Sequence, residues 1–147
     1  MIRNQLALAA TVAVLAAGAL VSAPTSAGAA DAIGIEAASP SVVGGGVAYE
    51  FRNKYEETDC DYQYFCTSVW DPTRGQWKVF FFYSCKTYNI ANWFGGGYWE
   101  NNQSGGERGR FFAGANGTGS YNTTARPHST GEYGWTPINS IRPCGNG

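Results

Sequence analysis

The sequence predicts an all-β, disulfide-stapled sandwich or barrel, and three observations carry that expectation. From Tyr62 onward, short aromatic and β-branched runs alternate with turns such as Gly95-Gly96-Gly97, Gly105-Gly106 and Gly114-Ala115-Asn116-Gly117. No segment there sustains a helical apolar period with capping residues. All four cysteines, Cys60, Cys66, Cys85 and Cys144, fall in the same region. Many short strands separated by turn chemistry build layered antiparallel sheets.

The elements follow in order. Arg3 precedes an uncharged apolar run from Leu6 to Val21, and Ala27-Gly28-Ala29 fits the small-x-small rule of a signal peptidase site. This predicts a cleavable signal peptide over residues 1–29. A spanning helix needs about 20 apolar residues, whereas this run is shorter, interrupted by Gly18 and without a basic flank, so cleavage is expected rather than anchorage. Residues 30–58 read as a flexible spacer, because Ala, Ser, Pro and Gly dominate its first part and bury little surface. Val47–Phe51 is its one short apolar stretch, able to add a strand. The folded domain is expected over 59–147.

Within it, Tyr62–Trp70 and Gln76–Cys85 flank Asp71-Pro72-Thr73-Arg74-Gly75, which predicts a β-hairpin. Tyr62, Tyr64, Cys66, Ser68 and Trp70 share one face of the first strand, and Trp77, Val79, Phe81, Tyr83 and Cys85 share one face of the second. Apolar density over Val79–Tyr83 predicts burial on both faces. Further strands are expected at Thr87–Phe94, Tyr98–Glu100, Arg108–Ala113, Gly119–Thr124 and Glu132–Ile141.

An even cysteine count in a small exported chain predicts two disulfides, and the spacing lacks the close Cys pairs of a zinc site. If Trp70 faces the residue just after the hairpin loop, Cys60 lies opposite Cys85, and Cys66 opposite Val79 or Phe80. Of the three connectivities, Cys60–Cys85 with Cys66–Cys144 is therefore expected.

The formal net charge of −1 supplies no field for nucleic acid or an anionic membrane. The single histidine, His128, sits in a turn-like Pro127–Gly131 loop, and no Gly-x-Ser-x-Gly elbow is present. Glu100, Glu107 and Glu132 are carboxylates near aromatics without a spacing that marks a glycosidase. A non-catalytic domain is expected. Five Trp and nine Tyr suit sugar stacking, and Trp93, Trp99 and Trp135, beside turns, are the expected exposed platforms. Asn101, Asn102 and Ser104 offer clustered oxygens for Ca²⁺. Arg74 in the hairpin turn, and Arg126 with His128 in the later loop, are the candidate protein-binding residues.

The segments Cys60–Cys66, Ser84–Trp93, Asn101–Gly106, Trp135–Pro137 and Ile141–Cys144 together resemble exported bacterial proteins of the metalloproteinase-inhibitor family with a βγ-crystallin-like fold. The resemblance covers residues 60–144 and implies two Greek-key motifs in a β-sandwich that inhibits a secreted peptidase. The calcium loop of such folds ends in hydroxyl residues. Gly105 and Gly106 stand in their place, so the implied calcium site is degenerate and no cofactor is expected. The leading expectation is a secreted peptidase-inhibitor-like, protein-binding domain. A carbohydrate-binding module using exposed Trp and Tyr is the alternative, and a weakly calcium-binding structural domain the third.

Overall fold

In chain order the strands are β1 (Ser41–Val42), β2 (Ala48–Arg52), β3 (Phe65–Asp71), β4 (Gln76–Phe82), β5 (Tyr88–Ala91), β6 (Gly96–Asn101), β7 (Arg110–Phe112), β8 (Tyr121–Thr123), β9 (Ser129–Gly134) and β10 (Ser140–Arg142). The computed structural model describes residues 37–54, 59–124 and 126–145; the leader expected over 1–29 lies outside them. Among the described residues no helix is long and apolar enough to cross a membrane. The chain is all-β, as expected.

The strands form two five-stranded antiparallel sheets, ordered β1-β5-β10-β7-β8 and β2-β4-β3-β6-β9. The order follows one rule twice. After the β3–β4 hairpin, β5 crosses to the other sheet and β6 returns beside β3. After the β7–β8 hairpin, β9 crosses back and β10 returns beside β7. Each sheet is therefore completed by the third strand of the other half.

Alternation along the strands then decides what is inside. Phe65 and Val69 on β3, Phe80 and Phe82 on β4, and Trp99 on β6 face Ile90, Phe111 and Ile141 of the opposite sheet in one core. The expected double burial of Val79–Tyr83 holds for Val79, Phe80 and Phe82, while Tyr83 is exposed. Trp135 enters the core from the β9–β10 connection. Its indole meets Phe111 and Trp93 edge-on at 5.1 and 5.3 Å and donates from Nε1 to the Ser68 carbonyl at 2.8 Å. Gly97 makes room for it, since a Cβ there would overlap both the Ser68 carbonyl oxygen and the Trp135 indole nitrogen.

Residues 37–54 of the stretch expected as a spacer carry two strands of the fold. β1 pairs with β5, and β2 runs along β4 from Ala48↔Phe81 to Arg52↔Trp77. The Gly44-Gly45-Gly46 run is the link between strands in different sheets, and all three residues hold positive φ (83°, 68° and 77°) that favours glycine. Composition alone reads such glycines as a linker; here they make a turn. Residues 30–36 and 55–58 of that stretch lie outside the described residues.

The disulfides join Cys60 to Cys66 and Cys85 to Cys144, which corrects the expected Cys60–Cys85 and Cys66–Cys144 pairs. Two causes combine. Trp70 pairs with Trp77 and Cys66 with Phe81, so the hairpin register is shifted from the one assumed. In addition, β3 begins only at Phe65. The chain before it doubles back, with Asp59 and Gln63 at positive φ and Tyr64 N–H on the Asp61 carbonyl, which leaves the Cys60 and Cys66 Cα atoms 5.8 Å apart. Beyond β4 the chain leaves the ladder, and Cys85 meets the C-terminal Cys144 instead.

Two outcomes follow from this packing. Gly97→Ala is expected to cost about 1–3 kcal/mol or more through overpacking, whereas Gly134→Ala, where a Cβ meets nothing within 4 Å, should stabilise by about 0.5–1 kcal/mol; urea denaturation measures both. Non-reducing peptide mapping should recover Cys60–Cys66 and Cys85–Cys144 fragments. Because the bridges close separations of 6 and 59 residues, their removal should cost roughly 2 and 4 kcal/mol respectively.

Candidate functional site

The tryptophans expected to be exposed are buried: Trp93 is 2 % exposed, Trp99 8 % and Trp135 0 %. Trp93 stacks on Phe80 at 4.8 Å and donates from Nε1 to the Ser41 carbonyl at 3.0 Å. Trp99 packs beside Phe65 and over Gly131, where a Cβ would stand 2.8 Å from its ring. The glycines near these indoles admit large rings to the interior, so adjacency to a turn does not mean exposure.

The Asn loop is a clasp. Asn101 is buried, donates from Nδ2 to the Glu107 carbonyl at 2.9 Å, and accepts the Gln103 N–H on Oδ1 at 3.3 Å. Asn102 donates to the Cys60 carbonyl at 2.7 Å, and its Oδ1 lies 2.9 Å from His128 Nδ1. Both amide oxygens thus face protein partners, while Ser104 is exposed and its carbonyl accepts the Glu107 N–H. His128 has positive φ (62°), takes the Asn101 carbonyl with its own N–H at 2.6 Å and stacks parallel to Tyr62. The loop histidine joins three segments.

The candidate protein-binding residues do not converge. Arg74 is exposed at the β3–β4 turn, its guanidinium 4.6 Å above the Phe51 ring. Arg126 is exposed beside His128, its carbonyl accepting the Ser129 hydroxyl. The register puts Asp71 at one end of β3, and Phe65, Asn101 and Ser129 at the other. At about 3.3 Å per residue the two ends are roughly 20 Å apart.

The β3–β4 turn is exposed and braced from beneath. Asp71 is fully buried and accepts Thr73 N–H and Thr73 hydroxyl on Oδ1 at 2.9 and 2.6 Å. Its Oδ2 accepts the Ser39 hydroxyl at 2.5 Å, and Ser39 in turn accepts Lys78 Nζ at 3.2 Å. Burial alone would raise the Asp71 pKa; the bonds from Ser39 and Thr73 and the nearby Lys78 charge outweigh it and hold the carboxyl below its ordinary value. Lys78, with Nζ also on the Pro40 carbonyl at 2.8 Å and 4.2 Å above the Tyr49 ring, has its pKa lowered by burial against the attraction of Asp71.

The outer face of the β2–β9 sheet carries what sequence reasoning missed. Trp70, 41 % exposed, pairs across the hairpin with Trp77, and the rings meet edge-on at 5.5 Å. Gly96 and Gly134 pair on the neighbouring strands at the same end of the sheet. Trp77, Gly96, Gly97, Glu132, Tyr133 and Gly134 line an open concavity of about 520 Å³. The available signal was symmetry: one Trp on each side of a turn, on one face. Comparison with family models, curated proteins and solved structures finds no match to this chain.

The Asp71 network sets an acid limit. Because its folded pKa lies below the unfolded carboxylate value of about 3.9, its contribution is complete above that value and is lost as pH falls through the lowered folded one. Asp71→Asn should lose about 1–3 kcal/mol at neutral pH and flatten the acid limb of stability measured by denaturant titration across pH.

Proposed function

We propose that this chain is an exported, non-catalytic binding domain of the peptidase-inhibitor type, built from two interlocked Greek-key motifs. The strand order supports the fold part of this reading. In each half the fourth strand lies beside the first, which is the Greek-key return. The leader-like N-terminus and the disulfides support export, since such bridges persist in oxidising surroundings.

One observation carries the binding mode. The β3–β4 turn projects exposed Pro72, Thr73 and Arg74 while the buried Asp71 carboxylate fixes its backbone from beneath. A loop already held in one shape loses little entropy when it enters a peptidase cleft. Arg74 is the side chain this turn offers to the target, and the Asn101–His128 clasp at the far end belongs to the scaffold. A carbohydrate-binding reading is favoured by a separate observation, the exposed Trp70 beside a glycine-floored concavity.

Titration against a panel of secreted metallo- and serine peptidases tests the inhibitor reading. Stoichiometric inhibition should be weakened about 10-fold or more, about 1.4 kcal/mol, by Arg74→Ala, with the melting temperature unchanged. Absence of inhibition across the panel at micromolar excess would overturn it.

A further inference from the structure

Most glycines near the second sheet have a structural reason to be glycine. Gly75 and Gly95 hold positive φ, and a Cβ at Gly97, Gly109 or Gly131 would run into Trp135, Phe65 or Trp99. Gly96 and Gly134 have neither reason. Their φ is ordinary; a Cβ at Gly134 would meet nothing within 4 Å, and one at Gly96 only the Tyr133 carbonyl oxygen at 3.9 Å. Glycine in a strand costs about 0.5–1 kcal/mol relative to alanine and marks places where something approaches the backbone closely. Here the two are paired directly across β6 and β9, so their bare backbones form the floor of one trough.

The walls of that trough have defined chemistry. Trp77 stands on one side, with the more exposed Trp70 set edge-on against it. Glu132 lines the other side, and the register puts Glu100 on the same outer face one row further along. About 520 Å³ falls within the roughly 300–1,000 Å³ of small-ligand clefts. A ligand here needs a flat apolar face for an indole, hydroxyl donors for a carboxylate, and no negative charge of its own.

We propose that the Trp77–Gly96–Gly134 trough is a binding site for a neutral hexopyranose chain. One sugar ring lays its C–H face on the tryptophan surface and seats against the glycine backbone, while ring hydroxyls donate to Glu132. Glu132 in the lining and Glu100 one row further along disfavour uronic-acid polymers, while Arg52 beside Trp77 on the same face is ion-paired with Glu50. The site rests on the carbohydrate-binding reading, to which it gives a substrate class, and not on the inhibitor reading, since Arg74 takes no part.

The test is titration of the protein with cellohexaose, chitohexaose and, as the anionic control, hexagalacturonate, read by tryptophan fluorescence and calorimetry. Saturable binding of at least one neutral hexasaccharide is expected, with no binding of hexagalacturonate. Gly134→Leu fills the trough without touching the core. It should weaken binding about 10-fold or more with an unchanged melting temperature, whereas Arg74→Ala should bind as the parent does. No binding of either neutral hexasaccharide at about 1 mM, a Kd limit near −4 kcal/mol, would overturn the proposal. So would parental affinity in a folded Gly134→Leu variant, or hexagalacturonate binding as tight as that of the neutral sugars.

Discussion

One indole holds the two sheets in their relation. Trp135 belongs to the connection leading into β10 of the first sheet, yet its Nε1 is bonded to the carbonyl of Ser68 in the middle of β3 of the second. Its backbone N–H is bonded to the Gly95 carbonyl just before β6. A ring of this size, fully buried, is worth several kcal/mol of transfer free energy, on the order of 4–6. Its polar edge would carry a desolvation penalty without the Ser68 acceptor. Gly97 is the necessary counterpart, because only a residue without Cβ leaves that volume open. Phe111, Trp93 and Tyr133 then pack against the ring from both sheets and from the loops.

This divides the rings of so aromatic a chain between a dense interior and six exposed ones, Tyr49, Tyr62, Trp70, Tyr83, Phe94 and Tyr121. The interior accounts for Trp93, Trp99 and Trp135 together with Phe65, Phe80, Phe82 and Phe111. Strand alternation puts Val69 inside and Trp70 outside, and the Trp70↔Trp77 pairing places both hairpin tryptophans on the outer face. Recognition is therefore left to the outer face and the turns, and those are the places where the fold invests polar order. The Asp71 network freezes one turn, and the Asn101, Asn102 and His128 bonds freeze the opposite end.

Local pattern made some of this legible. The β3–β4 hairpin, the turn at Pro72–Gly75 and the count of two bridges depend on near neighbours or on parity, and each agrees with the structure. The single strand expected at Glu132–Ile141, by contrast, is two, β9 and β10, in different sheets with the buried Trp135 between them. What depended on distant partners was not legible. Cysteine connectivity required knowing that β3 starts at Phe65 rather than before it, a boundary set by the positive-φ turn at Gln63. The role of Ala48–Arg52 required its partner β4, which composition cannot reveal. The Asn102 amide looked like a ligand because the groups that saturate it, Cys60 and His128, are remote in sequence.

Glycine shows why the candidate site was the hardest part to read. In sequence, Gly96 and Gly97 are adjacent and chemically identical. In the fold, alternation points the missing side chain of Gly97 at Trp135 and that of Gly96 away from the core. The first glycine repays its backbone entropy by admitting a buried indole. The second has no such return within the fold, and neither does Gly134 opposite it. A paired loss of strand stability without any packing gain is what a surface kept clear for a ligand requires, and it falls beside the one pair of tryptophans that the core leaves outside.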